Sequence, residues 1–201
     1  ALADRYGALI MVDDCHATGF LGPQGRGSYA HHGVKVDFVT GTFGKALGGA
    51  MGGFICATSA VVKLLKQRVR PYLFSNALAP AICGASLEAI RIAQGEEGDK
   101  LRAQLTANAA RFRSAMAEAG FDLLPGQHPI VPVMLGDAKL AQTMAARMLE
   151  LGVYVIGFSF PVVPRGAARI RTQMSAAHTF DHIDQAVAAF TTAGKELGVI
   201  K

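Results

Sequence analysis

The residues best suited to chemistry lie first in the segment VDDCHATGF, residues 12–20. Asp13 and Asp14 end an apolar run, and His16 follows two residues after the second acid. Such a run predicts a buried strand, and charged residues where a strand emerges into solvent need no functional explanation. A carboxylate at that point can equally serve a bound molecule, so the rest of the chain has to decide between the two interpretations.

A lysine in a glycine-rich segment is the second candidate. Lys45 lies within TGTFGKALGGAMGG, residues 40–53, where small neighbours allow a bulky planar group to approach the backbone closely. The segment could bind phosphate, but it lacks the residue order GxxxxGK[ST] of a nucleotide-binding loop. The chemistry that remains for a lysine in such a loop is covalent, namely a Schiff base to a carbonyl group.

Together the two segments meet the requirements of pyridoxal phosphate (PLP). Lys45 would hold the aldehyde. An aspartate at the end of the first apolar run would keep the pyridine nitrogen protonated. Neighbouring strand residues point to opposite faces, so only one of Asp13 and Asp14 can face the ring. His16, on the same loop, can form a hydrogen bond with the phenolic oxygen of the ring.

These residues are positioned by an alternation of strands and helices. Residues 8–13, 36–42 and 51–58 are strand candidates, and residues 59–68 form a helix for which we expect Ser59 as the N-cap. The continuous apolar character of the first strand predicts that it is covered on both faces. The alternation predicts an α/β fold with a mostly parallel sheet.

After Pro80 the pattern changes to long amphipathic helices. We expect strands at 129–135 and 153–158, and between them a helix that ends at Gly152. The helical pattern breaks near residues 93–98, which predicts two domains, 1–95 and 96–201. The apolar residues that recur on two helical faces are Leu101, Leu105, Phe112, Met116, Ile183, Ala186, Val187, Phe190 and Leu197.

The composition excludes several classes of protein. With 201 residues and 51% hydrophobic content, the chain can bury a sizeable core. Its net charge of +5 comes from 20 basic and 15 acidic residues without long runs of like charge, so we expect anionic substrates and no nucleic-acid partner. The three cysteines lie far apart and indicate neither a metal site nor a disulfide framework, which favours a cytoplasmic location.

Two further features concern membranes and the start of the chain. The most apolar stretch, residues 46–62, is rich in glycine and too short to cross a bilayer, which takes about 20 residues, so we expect no membrane association. The first residues, ALADRYGALIMVDD, show no secretory signal and are typical of a helix end leading into a strand. We therefore expect a fragment whose upstream half is missing.

Long motifs in the chain resemble a known family. DDCHATGFLGPQGRG and TGTFGKALGG resemble the two signature segments of the α-oxoamine synthases, fold-type I PLP enzymes that condense an amino acid with an acyl-CoA. RPYLFSNALAPAI, GFSFPVVPRG and ARIRTQMSAAHT are similar to the members that use glycine and acetyl-CoA. The resemblance runs from Ala1 to Lys201. It implies the C-terminal part of a PLP-binding large domain, followed by a small α+β domain.

The resemblance also implies an activity and an assembly. The expected reaction joins glycine and acetyl-CoA into 2-amino-3-oxobutanoate and releases CoA, and its reverse belongs to threonine breakdown. The expected assembly is a homodimer with a shared active site, in which Phe74, Ser75 and Asn76 reach the cofactor phosphate of the neighbouring subunit. Arg169 matches the arginine that binds the substrate carboxylate, for which a planar guanidinium is well suited.

The same resemblance assigns the residues around the cofactor. It implies that Lys45 carries the cofactor and later removes the α-proton of glycine. Asp13, rather than Asp14, pairs with the pyridinium nitrogen, and His16 contacts the phenolic oxygen. Thr42 lies near the cofactor phosphate.

Alternatives remain for several of these residues. Thr42 could be a simple turn residue, and Arg171, two residues beyond Arg169 on the same strand face, is a rival for the carboxylate. His178 precedes the expected N-cap Thr179, which favours a structural role. Cys15 could be interpreted as a nucleophile, but PLP chemistry does not need a thiol at this position. The remaining histidines, His31, His32 and His128, fit loop or turn positions.

Two other functions compete with the glycine and acetyl-CoA reaction. The chain could belong to a sister synthase with a different acyl donor, which the shared catalytic residues would not distinguish. It could instead be a non-enzymatic relative that keeps the fold for dimerisation. A purely structural role does not require Asp13, His16, Lys45 and Arg169 together, which favours an enzyme.

Overall fold

The structure is a computed structural model that describes residues 1–201 and divides into two compact units, Ala1–Arg102 and Ala103–Lys201. Each unit contains its own three-stranded sheet with helices. The division falls inside a long helix, a little beyond the domain boundary at 95/96 that the sequence predicts.

The sheet of the first unit is mixed. It consists of β1 (Met11–Asp13), β2 (Phe38–Thr42) and β3 (Gly53–Cys56), in that order. β1 pairs with β2 in parallel, as expected, whereas β3 is antiparallel to β2. The sequence predicted a mostly parallel sheet. The direction of β3 differs because the chain returns from β2 through a loop, without the crossover helix that a parallel neighbour needs.

β1 is less buried than its apolar sequence predicts. We expected a strand covered on both faces, but Met11 is 63% exposed and the preceding Leu9 is 71% exposed. β1 is a short strand that pairs with β2 alone among residues 1–201. Val39, in the central strand β2, is buried.

The first unit also contains several helices. Between β1 and β2 lie a 3-10 helix (Pro23–Gly25) and α2 (Ser28–His31). The other helices of the unit are α1 (Leu2–Tyr6), α3 (Ser59–Arg68), α4 (Arg70–Phe74) and α5 (Pro80–Gln94).

The predicted N-cap of α3 was wrong by one residue. Thr58, which has an extended backbone, is the N-cap, and Ser59 is already helical. The side chain of Thr58 makes no capping hydrogen bond. The sequence offered two adjacent hydroxyl residues, and the choice between them depends on the backbone that leads out of β3.

The second unit has an antiparallel sheet covered by helices. Its strands are β4 (Ile130–Gly136), β5 (Gly157–Phe158) and β6 (Ala168–Gln173), with β6 in the centre. Its helices are α6 (Glu96–Glu118, which begins in the first unit), α7 (Ala138–Glu150) and α8 (Phe180–Glu196). None of the helices in the structure is long and apolar enough to cross a membrane.

The core of this unit confirms the helical faces predicted from the sequence. Phe112 and Met116 of α6, together with Ile183 and Phe190 of α8, are at most 2% exposed. The rings of Phe112 and Phe190 meet edge to face, with centroids 6.1 Å apart. Leu101 is the exception at 45% exposed, because it lies before the part of α6 that packs in this core.

Two helix ends in the second unit also match the sequence. Asp137 caps α7 through a hydrogen bond from the Leu140 N–H (2.8 Å), and Gly152 follows the helix with a φ of 83°. Thr179 caps α8 in a capping box with His182. This cap supports the structural interpretation of the preceding His178.

The strand expected at 153–158 is much shorter in the structure. Only Gly157 and Phe158 pair with β6. α7 packs very closely here, since a Cβ on Gly157 would lie 2.9 Å from the Ala141 carbonyl oxygen. In VYVIGF, Tyr154 and Ile156 are exposed while Val153 and Val155 are half-buried, so this part of the segment alternates in burial without pairing in the sheet.

Candidate active site

The two acids at the end of β1 have different environments. In the parallel pairing, Asp13 lies beside Thr40 of β2, and the Asp14 N–H donates to the Thr40 carbonyl (2.8 Å). Asp14 is 2% exposed, whereas Asp13 is exposed. Asp13 is therefore the acid that a bound molecule can reach from this strand end.

Asp14 fixes the loop that follows β1. Its carboxylate accepts hydrogen bonds from the backbone N–H (2.9 Å) and the hydroxyl of Ser28, the first residue of α2. Gly27 permits this contact, because a Cβ there would lie 2.1 Å from Oδ2 of Asp14. The φ of Gly27, 118°, also belongs to a region that residues with side chains rarely adopt. Asp14 thus has a structural role.

The carboxylate of Asp13 is held in its ionised form. Its Oδ1 accepts a hydrogen bond from the Cys15 N–H (2.9 Å), which closes a short turn. Hydrogen bonds from the thiol and the N–H of Cys15 are the main causes that lower the pKa of Asp13. The Thr40 hydroxyl and the positive charge of Lys45 lower this pKa further, while desolvation acts in the opposite direction. An ionised, exposed carboxylate can pair with a protonated ring nitrogen.

Lys45 lies on the glycine-rich loop between β2 and β3. The loop is closed by hydrogen bonds from the Phe43 N–H to the Gly52 carbonyl (3.0 Å) and from the Gly49 N–H to the Phe43 carbonyl (2.7 Å). The carbonyl of Lys45 accepts a hydrogen bond from the Gly48 N–H (3.0 Å). Lys45 therefore occupies a tight turn, and it is exposed.

The glycines of this loop lie so close to neighbouring atoms that side chains at their positions would not fit. A Cβ on Gly44 would lie 2.8 Å from the Ala50 carbonyl oxygen, and one on Gly49 would lie 2.7 Å from the Ser86 hydroxyl on α5. Ala50 itself has a φ of 66°, which is uncommon outside glycine. The backbone around Lys45 is therefore fixed by close contacts, and the lysine side chain extends from a defined position.

Thr42 connects the two strand ends. It is the last residue of β2, and its hydroxyl donates to the Cys15 carbonyl at 3.4 Å. The contact joins the loop after β1 to the strand that leads to Lys45. Thr42 is thus more than a turn residue, and its role at a cofactor phosphate stays a prediction.

The other predicted residues of the first unit are exposed. His16 lies in the turn after β1. Phe74, at the end of α4, is 77% exposed, and the guanidinium of Arg70 lies 5.5 Å from the centroid of its ring. Ser75 follows it and is exposed as well. The structure leaves these side chains accessible to another molecule, and their contacts with a cofactor stay predictions.

Arg169 belongs to the second unit. It lies in β6, is half-buried, and donates from Nε to the Ala167 carbonyl (3.0 Å). Its rival Arg171 stacks over the Phe158 ring, with 4.7 Å from Cζ to the ring centroid. Arg171 also borders a cavity of about 560 Å³ whose lining does not include Arg169. The assignment of Arg169 to a substrate carboxylate stays a prediction.

Two residues of the site, Cys15 and Thr40, are not among those predicted to contact the cofactor. The N–H of Cys15 donates to the Asp13 carboxylate, although the sequence suggested only a role as nucleophile. Thr40 lies beside Asp13 across the sheet. A signal for both existed, because an aspartate at a strand end often binds the N–H two residues on, and a residue at the end of a parallel neighbour meets it across the sheet.

Comparisons with known proteins agree with this arrangement. The profile of the family "aminotransferase class I and II" matches residues 1–190. The chain is 57% identical over 201 residues to 2-amino-3-ketobutyrate coenzyme A ligase of Escherichia coli K12. It is 51% identical to the mitochondrial 2-amino-3-ketobutyrate coenzyme A ligase of Homo sapiens. Both matches cover 99% of the chain but only 50% and 48% of those proteins, so the chain spans about half the length of these curated relatives.

The fold has a close counterpart among solved structures. A structure of SPT (serine palmitoyltransferase) with a PLP internal aldimine superimposes with a TM-score of 0.93 at 33% sequence identity. The match covers 99% of this chain and 50% of that chain. The likeness confirms the α/β fold predicted from the sequence.

Proposed function

The chain belongs to the aminotransferase class I and II family, and on this basis we propose that it acts as a PLP-dependent glycine C-acetyltransferase, also called 2-amino-3-ketobutyrate CoA ligase. The reaction condenses glycine with acetyl-CoA to 2-amino-3-oxobutanoate and CoA. The reverse reaction, cleavage by CoA, serves threonine catabolism. The name of the Escherichia coli relative at 57% identity supports this choice of substrates.

The observation that carries the proposal is the relation between Asp13 and Lys45. The two residues come from different strand ends, yet the charge of Lys45 is close enough to lower the pKa of Asp13. An amine for an aldehyde and an ionised acid for a ring nitrogen are the two groups that PLP requires. Both are exposed and lie on loops that hydrogen bonds hold in place, so the residues present fit this cofactor.

When bound, PLP supplies an electron sink that stabilises a carbanion at the α-carbon of an amino acid. Lys45 would hold the cofactor through its Nζ until the amine of glycine takes its place, and the released Nζ would then accept the α-proton of glycine. Asp13 would accept the hydrogen bond of the ring N–H and keep that nitrogen protonated. His16 would donate to the phenolic oxygen, and Thr42 would contact the phosphate.

Arg169 orients the amino acid. Its planar guanidinium would bind the carboxylate of glycine. In a homodimer, Phe74 and Ser75 of one subunit complete the phosphate site of the other. The exposure of this segment at the end of α4 supports that role.

A cytoplasmic location completes the proposal. The scattered cysteines, all free, support it. The human relative is mitochondrial by name, so a mitochondrial location is the alternative.

A sister synthase with a longer acyl donor is the second candidate. The close superposition on SPT favours it, because the same fold and cofactor serve a different acyl group there. The acyl pocket, not the shared catalytic residues, decides between the two. A third candidate is an inactive relative that keeps the fold for assembly.

The test uses the complete protein loaded with PLP. Glycine is supplied with acetyl-CoA, octanoyl-CoA or palmitoyl-CoA, and release of free CoA is followed. We expect the highest kcat/KM with acetyl-CoA. A preference for a longer chain would establish the sister synthase, and no CoA release with any donor would establish the inactive relative.

A further inference from the structure

We propose that a cavity in the second unit binds an amphipathic carboxylate, that is, an apolar chain of medium length that ends in a carboxylate group. The cavity has a volume of about 560 Å³, which is typical of small-molecule sites in proteins. All residues that line it lie between Phe112 and Phe190, so the site belongs to this unit alone. The lining includes neither Arg169 nor Lys45, and the inference does not depend on the proposed function.

The cavity borders the hydrophobic core of the second unit. Phe112, Ile183 and Phe190 belong to this core, are at most 2% exposed and also line the cavity. Burial of an apolar chain against such side chains is favourable, because both surfaces leave water. The other apolar residues of the lining are Val153, Val155, Ile156, Phe158, Met174 and Ala186. The apolar part of the proposed ligand therefore has a matching surface.

Arg171 supplies a positive charge at the cavity. Its guanidinium stacks over the ring of Phe158, with 4.7 Å from Cζ to the ring centroid, and both residues line the cavity. Arg171 takes part in none of the ion pairs of the structure. Stacking occupies the face of a guanidinium, whereas its N–H groups lie in the plane. These N–H groups can thus bind a carboxylate.

His178 and His182 add two hydrogen-bond donors to the lining. Nδ1 of His178 accepts from the Ser175 N–H, and Nδ1 of His182 accepts from the Thr179 N–H, both at 3.3 Å. A neutral imidazole that accepts at Nδ1 carries its hydrogen on Nε2. The structural role of these histidines therefore uses one nitrogen of each ring, and the other nitrogen can donate to a ligand.

The charges around the cavity favour an anion. The lining contains no aspartate or glutamate. Residues 151–180, which supply much of the lining, contain three arginines and no acidic residue. Asp184 of α8 is bound to Arg111 and does not line the cavity. One guanidinium with two neutral donors matches the single charge and the two oxygens of a carboxylate.

The first experiment measures the binding of octanoate to the complete protein by isothermal titration calorimetry. Octanol, which lacks the charge, and acetate, which lacks the apolar chain, are the matched controls. We expect saturable binding of octanoate at one site per chain, and binding at least about tenfold weaker for both controls. Absence of saturable octanoate binding, or equal affinity for either control, would overturn the proposal.

The second experiment tests the role of Arg171. Arg171→Gln should raise the Kd of octanoate at least about tenfold, because a charge-assisted hydrogen bond is lost. Arg165→Gln is the matched control and should leave the Kd near the wild-type value. Arg165 lies in the same acid-free segment and stacks over Phe160 at 4.3 Å, but it does not line the cavity. Equal Kd values for wild type and Arg171→Gln would contradict the proposed site.

The third experiment locates the ligand without a variant. Methionine methyl groups are labelled with carbon-13, and their NMR signals are followed as octanoate is added. Met174 lines the cavity, whereas Met51 is exposed in the first unit. We expect the Met174 signal to shift and the Met51 signal to stay unchanged. Octanoate binding without a response of Met174 would place the ligand elsewhere and refute the proposal.

Competition with glycine separates this site from the proposed substrate site. Saturating glycine should leave the Kd of octanoate unchanged, because Arg169 is not part of the lining. Displacement of octanoate by glycine would overturn the proposal of a separate site. Octanoate binding in a protein that releases no CoA would count against the proposed function alone.

Discussion

Asp14 and Ser28 close the loop after β1, with the Ser28 N–H 2.9 Å from the Asp14 carboxylate. The contact occupies the carboxylate of Asp14, the buried acid of the pair, so Asp13 is the acid that a ligand can reach. Asp14→Ala should therefore lower the free energy of unfolding by about 1–3 kcal/mol, because a buried N–H and hydroxyl lose their acceptor. Chemical denaturation measures this. Asp4→Ala, at a side chain that is 90% exposed, is the control and should have little effect.

For Asp13→Asn we expect little change in stability and a large loss of activity. Its side chain is exposed, so stability should change little, but the asparagine cannot keep a ring nitrogen protonated. We expect PLP to bind and kcat to fall by at least about a hundredfold, which corresponds to 2.7 kcal/mol of lost transition-state stabilisation. An asparagine variant with wild-type kcat would remove Asp13 from the cofactor site.

Lys45→Ala should abolish covalent attachment of PLP. Reduction with borohydride, followed by peptide mapping, should place the cofactor mass on the Lys45 peptide of wild type only. Lys66→Ala, on α3, is the matched control and should keep the label. Labelling of another lysine in wild type would contradict the assignment of Lys45.

Asn108 connects α6 to the turn before α8, and we expect its replacement to destabilise the second unit. It is fully buried and donates to the carbonyls of Ser175 and His178, both at 2.8 Å. Asn108→Ala leaves these acceptors without their partner and should cost about 1–3 kcal/mol of stability. Gln104→Ala, which removes only a donor to Asn108, should cost less. Equal losses in the two variants would show that the contacts with the turn before α8 are unimportant.

Ion pairs between elements of the second unit predict that the stability of the folded protein depends on pH. Hydrogen bonds from Arg147 lower the pKa of Glu196 below its ordinary 4.5, and those from Arg111 lower the pKa of Asp184 below 3.8. Both acids bind protons more weakly in the folded state than in the unfolded one. Their stabilisation is therefore complete above pH of about 4.5 and is lost as the pH falls through the folded-state pKa values.

Urea unfolding at several pH values checks this dependence. Stability of the wild type should decrease steadily below about pH 4.5. Glu196→Gln and Asp184→Asn should each reduce that slope and leave the other pair intact, because the pairs use different arginines. Unchanged slopes in both variants would show that these pairs do not contribute.

The sequence predicted the helical core of the second unit well. Phe112, Met116, Ile183 and Phe190 recur at helical spacing, and all four are buried as expected. Periodicity of this kind reports which face of a helix is covered, and it does not depend on what covers it. The exposure of Met11 could not be predicted in this way, because a run of apolar residues does not reveal whether a strand lies at the edge or in the centre of a sheet.

The candidate site was predictable in part. The alternation of strand residues predicted that Asp13 and Asp14 face opposite sides, and the structure shows Asp13 exposed and Asp14 buried. The glycines around Lys45 indicated a tight loop, which the hydrogen bonds confirm. The hydrogen bond from the Cys15 N–H to Asp13 follows a common strand-end pattern, whereas the contact of the Cys15 carbonyl with Thr42 could not be predicted, because it depends on how the turn after β1 folds.

The antiparallel return of β3 has a consequence for the lysine. Ladder hydrogen bonds hold the ends of its loop, and further hydrogen bonds at Phe43 close it, so the backbone that leads to Lys45 is restrained. In the proposed function, the amine of Lys45 would therefore move mainly by rotations along its own aliphatic side chain.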